Sequence, residues 1–350
     1  MTRDGPFRRW PAEWERHDAT WIAWPHHAPD WPGKFEAIPW VYAEIVRALH
    51  PHETVRILCQ DDAASAEARR VLLAHSVVLE RNAFHVVPTN RSWVRDSAPT
   101  GVLGPAGIEW IGWSFNAWAK YDNFDKDGQV RRVLSELTGR PLVKPERPDT
   151  GGPLVLEGGG IETDGAGGLL VTEEWLLSND QVRNAGMTRE AYEDAFREYL
   201  GIERTIWLGE GAVGDDTHGH VDDIARFVDR HTVVLAHEAD PADENHRRTA
   251  DNLRRLELAG RQWPGGLGVV TLPFPRPVVM EGERLPASYA NFYIANGAVL
   301  VPTFNDPNDR VALHTLAELF PDREVVGIHS VDLVWGLGTL HCLTQQQPAE

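Results

Sequence analysis

The feature that most constrains this chain is a repeated order of elements: strand, hairpin turn, strand, helix, strand. Its clearest copy lies late in the chain. Residues 288–295 (SYANFYIA) alternate and are rich in aromatics, and Asn296-Gly297 is a two-residue hairpin signal. Residues 298–301 (AVLV) return as a buried strand. Asp309 is the expected N-cap of a helix whose Ala312, Leu316, Leu319 and Phe320 share one face. Pro321 stops that helix, and residues 324–328 form the third strand. A second copy runs through 160–163, a turn at Asp164-Gly165, 169–172, a helix over 188–200, and 204–208. A third uses 224–228, 232–236, a helix near 245–262, and 268–272; a fourth uses 99–103, 107–113, a helix near 129–137, and a weaker strand. The first unit has 20–24, a helix near 40–49, and 54–59, and lacks one strand, which residues 340–345 can supply.

One such unit cannot bury both its faces, so the units must stack or close into a ring. Five units, the last strand completing the first, predict an α/β fold: a five-bladed β/α-propeller with pseudo-fivefold repeats of a ββαβ unit. Closure would remove the open sheet edges of a linear array. An ordinary mixed α/β domain is the alternative, because the units share no obvious residue identity. No Ser/Gly run, low-complexity tract or block of like charge interrupts the repeats, so residues 1–350 read as a single domain.

Charge narrows the partners. Lys and Arg total 34 against 52 Asp and Glu, a formal net charge of −18. Such a surface repels phosphate backbones, so nucleic acid and anionic membrane are not expected partners, while a small cationic ligand is compatible. No apolar run is long enough to cross a bilayer, and MTRDGPFRRWPAEW holds no apolar signal region, so the expected location is cytoplasmic. A homo-oligomer is compatible with the sequence. Two cysteines, Cys59 and Cys342, make neither a disulfide framework nor a Cys-rich zinc site.

The two cysteines differ in setting. Cys59 ends the apolar strand VRILC and reads as core, whereas Cys342 sits in polar LHCLTQQQP after the turn Gly336-Leu337-Gly338. Cys342 is therefore the candidate reactive thiol. The segment DDTHGHVDD (215–223) packs two His and four Asp into nine positions, and in extended chain His220 and Asp222 point to one side. A metal reading of His218-x-His220 and a solvated acidic loop are its competitors. Asp96 in WVRDSAP and Glu157 in LEGGGIETDG each open a repeat; no Lys-Ser/Thr follows the glycines, so a phosphate loop is not supported. If the units are related by rotation, Asp96, Glu157, His220 and Asp222 converge at one end of the axis, with Cys342 on the strand that closes the ring. Three carboxylates at one pocket repel each other unless a cation joins them. A guanidinium, with five N–H donors in a planar fork, suits them.

The chain resembles the agmatine deiminase family, relatives of bacterial-type peptidylarginine deiminases in the guanidine-modifying (pentein) superfamily. The resemblance spans nearly the whole chain: PAEWERHDATWIAWP, WVRDSAPT, FNAWAKY, LEGGGIETDG, DDTHGHVDDIARFV, SYANFYIANGAVLVPTF and GLGTLHCLTQQQP. It implies the five-bladed pentein fold, Cys342 as nucleophile and His220 as general acid/base. It implies Asp96, Glu157 and Asp222 as guanidinium-binding acids. Asp216 and the Gly336-to-His341 segment match positions lining the substrate, and Trp118 an aromatic over the site. The implied reaction is hydrolysis of a guanidine to a urea and ammonia through a covalent thiouronium, with no metal and no organic cofactor. Agmatine would give N-carbamoylputrescine.

Departures from the family pattern fall at Asn90, Arg91, Ala119, Trp175, His218 and Leu337. None touches the catalytic set. Arg91, His218 and Leu337 are candidates for setting specificity, with Arg91 expected to disfavour an ammonium tail if it faces the pocket. The rival readings are an amidinotransferase, a deiminase of another guanidine or of protein arginine, a metal-dependent amidohydrolase, and a guanidine-binding protein without turnover.

Overall fold

The computed structural model describes residues 8–350. Four three-stranded sheets share one construction: the first strand pairs antiparallel with the second, and the second parallel with the third. They are Thr100–Gly104, Gly107–Ile111 and Leu142–Val143; Glu162–Thr163, Gly168–Thr172 and Arg204–Leu208; Ala225–Asp229, Thr232–His237 and Gly268–Pro273; and Tyr293–Ile294, Ala298–Thr303 and Glu324–His329. A parallel pair needs a long crossover, and helices Asp127–Thr138, Arg189–Leu200, Glu244–Gly260 and Pro307–Leu319 supply it. Arg189–Leu200 shows why these segments are helical. Thr188 accepts the Ala191 N–H at its start, Gly201 ends it at φ 72°, and Tyr192, Ala195, Phe196 and Tyr199 bury one face.

The remaining sheet joins the two ends of the chain. Gln345–Pro348 pairs antiparallel with His17–Ala23, Gln345 opposite Trp21. His17–Ala23 then pairs parallel with Thr54–Cys59 through helix Ile38–Leu49. Residues 62–86, unassigned from sequence, add helix Asp62–Ala74 and strand Asn82–Val86, so this sheet has four strands.

Three expectations need correction. The closing strand begins at Gln345, so Cys342 lies in the turn before it, not on it. Most of 288–295 is irregular, with a turn at 289–290 and strand only at Tyr293–Ile294, and Asn291 points inward to bond the Cys342 segment. The helix cap is Asp306, with Pro307 at the first helical position and Asp309 completing a capping box. A two-stranded ribbon, Val279–Met280 with Glu283–Arg284, was also unforeseen.

The first strands are linked by one buried charge network. Glu13 accepts from Arg95 Nη2 (3.1 Å) and Arg226 Nη2 (2.8 Å), and Arg226 Nε donates to Glu162 (2.9 Å). Arg95 Nη1 donates to Gln346 (2.7 Å), and Arg226 reaches the Phe292 carbonyl. Each of the five sheets therefore contributes from its first strand or the turn before it. Among the described residues no helix is long and apolar enough to cross a membrane. Part of the segment read for a signal peptide, residues 1–7, lies outside the described residues.

Candidate functional site

Directly before the first strands of three sheets the chain makes one helical turn: Val94–Ser97, Gly158–Gly160 and Val221–Asp223. Residues 340–343 form a turn at the equivalent place before Gln345. These turns carry Asp96, Glu157, His220, Asp222 and Cys342, and they do converge. A Cβ placed on Gly159 would lie 2.6 Å from His220 Nδ1 and 3.0 Å from both Asp222 Oδ2 and Asp96 Oδ1. Only glycine lets the backbone approach so closely. His220 and Asp222 are not in extended chain as expected; the turn brings them together instead. Asp215 fixes that loop by accepting the Gly219 and His220 N–H groups at 2.8 and 2.9 Å.

The side chains sort into two layers. Asp96 and Cys342 line an open cavity of about 450 Å³, together with Asp30, Arg91, Trp118, Asp216, Glu283, Gly336 and Leu337. His220, Asp222 and His341 are buried among them, at most 1% exposed. Cys342 Sγ is 3.8 Å from Asp222 Oδ2, and Asn291 Nδ2 donates to it at 3.2 Å. His341 bridges Asp222 (2.7 Å) and Glu13 (2.9 Å). Asp96 accepts from Trp118 Nε1 at 2.8 Å and from Gly159 N–H at 2.9 Å. Within this cluster, His220 Nδ1 and Asp222 Oδ1 are buried without a hydrogen-bond partner among the described residues. Buried polar groups are seldom left so, since each lost partner costs about 1–3 kcal/mol.

Glu157 does not line the cavity. It accepts from Trp175 Nε1 (2.6 Å) and Arg183 Nε (3.1 Å), and stands 3.4 Å from His220 Nε2. Burial opposes its ionisation, but Arg183 and His220 hold its carboxyl down to about 2. Burial likewise opposes a charged His220, yet Asp96, Glu157 and Asp222 raise its imidazolium to about 9. Asp222 stays below the usual carboxylate range, against its burial, through His341. Burial raises the Cys342 thiol well above its usual range, and the charges of Asp222, Asp223 and Asp96 raise it further. The unliganded site thus holds a cationic imidazole beside a neutral thiol.

Of the specificity candidates, Arg91 and Leu337 line the cavity and His218 does not. His218 Nε2 meets Ser178 Oγ at 3.1 Å. Arg91 is ion-paired with Asp30 and lies 4.1 Å over the Tyr121 ring. Its charge is compensated, so the expected repulsion of an ammonium tail is not built into the wall. Asn90 caps a neighbouring loop by accepting the Lys126 and Asp127 N–H groups. Trp175, a departure from the pattern expected to lie clear of the catalytic candidates, does touch them: it donates to Glu157 and sets its ring edge-on to His220, centroids 5.5 Å apart. His218 and His220 do not meet a third metal-type ligand among the described residues; the grouping there is Asp222, Asp223 and Cys342. Seven non-glycine residues at positive φ (Ala117, Trp118, Ala119, Gln181, His218, Glu281, Leu337) lie in segments that contribute to the cavity or adjoin its lining residues. Gln181 ties two of those loops, donating to the carbonyls of Trp118 and Asp216 at 3.0 Å each.

Solved structures place this architecture in the α/β pentein class. A Cys-to-Ser variant of C. jejuni agmatine deiminase with substrate bound matches at TM-score 0.88 and 26% identity, over 99% of this chain and 98% of that one. Agmatine deiminase of Enterococcus faecalis matches at TM-score 0.87 and 30% identity, over 99% and 96%. An amidinotransferase from Microseira wollei shares the fold at TM-score 0.53 and 12% identity, over 97% and 96%. The model of the Porphyromonas-type peptidyl-arginine deiminase family matches residues 9–348. Agmatine deiminase of Ectopseudomonas mendocina is 35% identical over 97% of this chain and 95% of its own length. The chain belongs to the Porphyromonas-type peptidyl-arginine deiminase family.

Proposed function

We propose that this protein is a cysteine-dependent hydrolase that deiminates agmatine to N-carbamoylputrescine and ammonia. The observation that carries the reading is the buried, unpartnered acceptor Asp222 Oδ1, close to Asp96 and the Cys342 thiol. A guanidinium supplies the N–H donors and the positive charge that such a cluster of acids lacks. The relatives named agmatine deiminase support the substrate.

In this reading a guanidinium enters between Asp96 and Asp222, which each hold its nitrogens. Its charge offsets the anions that keep Cys342 protonated, so the thiol loses its proton to solvent as substrate binds. The thiolate adds to the central carbon, and His220 gives its proton to the departing nitrogen, leaving a thiouronium. His220 then takes a proton from water, which attacks that carbon and releases the urea. Glu157 acts from behind, orienting and charging His220. His341, held by Glu13, orients Asp222. We further propose that the five sheets are blades of one closed propeller around the Glu13–Arg95–Arg226 network.

The test is a panel of guanidines with ureido product and ammonia both measured: agmatine, arginine, shorter and longer aminoguanidines, and an arginine peptide. Agmatine should give equimolar product and ammonia with no added amine. Turnover that requires an amine acceptor would establish an amidinotransferase instead, and preference for the peptide a protein deiminase.

A further inference from the structure

The ribbon Val279–Met280 and Glu283–Arg284 lies in the chain between the last two sheets, and it reaches the cavity through Glu283. Side chains alternate along a strand, and here the alternation is used. Glu283 and Leu285 line the cavity, while Arg284 turns away and donates to Asp243 Oδ1 at 2.9 Å. Asp243 is the cap of helix Glu244–Gly260, so the ribbon is pinned to a rigid element. Its other side is held where the Arg284 carbonyl meets Gly214, close enough that a Cβ there would sit 2.4 Å from it. Glu283 is thus aimed, although it is exposed.

The carboxylates of this cavity differ in what they already hold. Asp30 is paired with Arg91 and accepts from Trp93 Nε1 at 3.2 Å. Asp216 is paired with Lys120 and accepts from Tyr121 OH at 2.8 Å. Asp96 lies with Cys342 and accepts from Trp118 and Gly159. Glu283 alone has no partner among the described residues. It is the uncompensated carboxylate of a cavity whose lining also includes Cys342 and the aromatic rings of Trp118 and Trp335.

We propose that Glu283 is the specificity residue that receives the distal ammonium of the substrate and rejects a tail bearing a carboxylate. The inference rests on the deiminase reading and goes beyond it by assigning tail recognition to the ribbon, not to Arg91, His218 or Leu337. Removing the carboxylate takes away one exposed charge-assisted contact, about a tenfold effect, or roughly 1.4 kcal/mol.

The experiment compares agmatine, n-pentylguanidine (methyl in place of ammonium) and 4-guanidinobutanoate in the wild type, Glu283→Gln and Glu283→Lys. The wild type should prefer agmatine. Glu283→Gln should raise its KM about tenfold at nearly constant kcat, with pentylguanidine unchanged, and Glu283→Lys should shift preference toward the acidic tail. Unchanged substrate ratios in both variants would overturn the proposal while leaving the deiminase reading intact. Absence of ureido product from every guanidine with the wild type would overturn that reading, and this assignment with it.

Discussion

At the scale of single residues, the two cysteines make the sharpest contrast. Cys59 is fully buried at the end of its strand, and burial pushes its thiol up to about 11. Cys342 shares its surroundings with Asp222 and Asn291 at the cavity. Cys342→Ala should abolish ureido product, whereas Cys59→Ala should retain activity and lose only about 1 kcal/mol of stability; activity lost only with Cys59 would reverse the assignment. His220 gives a pH prediction. Its imidazolium is raised to about 9, so the acid form prevails below that pH and is lost as pH rises through it. The kcat/KM profile should therefore fall on the alkaline side near pH 9. Glu157→Gln removes one of the anions that raise it, and the fall should move to lower pH. A pH profile identical to wild type would show that Glu157 does not set the proton affinity of His220.

At the scale of elements, the site depends on pieces too short to have periodicity. The strands, crossover helices and hairpin turns were legible, because Asn296-Gly297 and Asp164-Gly165 are turn chemistry and the helices carry one-sided apolar patterns. The single turns at Val94–Ser97, Gly158–Gly160 and Val221–Asp223 were not, since three or four residues show no repeat. The residues they carry were found nonetheless, through the placement of acids and His before strands. Glu13, Arg95, Arg183 and Asn291 were missed: an isolated Arg or Glu reads as surface, and only the contacts across distant segments reveal them. Their signal, in hindsight, was their place within quoted motifs, Glu13 in PAEWERHD and Arg95 in WVRDSAP. The Gly158–Gly160 turn offers a test. Gly159→Ala would thrust a methyl group against His220, Asp222 and Asp96. A displacement of that kind should cost about 10²-fold in kcat/KM, with the melting temperature nearly kept. Full activity in that variant would mean the acids do not close around the substrate here.

At the scale of the whole molecule, the two chain ends meet in one sheet, and the turn that carries Cys342 is tied to that meeting. Gln345–Pro348 follows Cys342 by two residues and pairs with His17–Ala23. Its side chains are spent inward: Gln347 accepts from Trp21 Nε1 at 3.1 Å, and Gln346 accepts from Arg95 at 2.7 Å. Arg95 in turn donates to the His341 carbonyl and to Glu13, so strand, turn and central network form one connected unit. Removing residues 345–350 would strip the partner from His17–Ala23, exposing an unpaired edge. It would also deprive the buried Arg95 of a charge-assisted bond worth about 1.5–3 kcal/mol. The truncated protein should melt about 5 °C lower or more, associate through the open edge, and lose turnover because the Cys342 turn is no longer anchored at its far side. Removing Glu350 alone should do none of these. Melting, size-exclusion and ureido-product measurements on the two truncations and the full chain decide it. If the longer truncation kept both melting temperature and activity, pairing of the terminal strand would not be what holds the Cys342 turn in place.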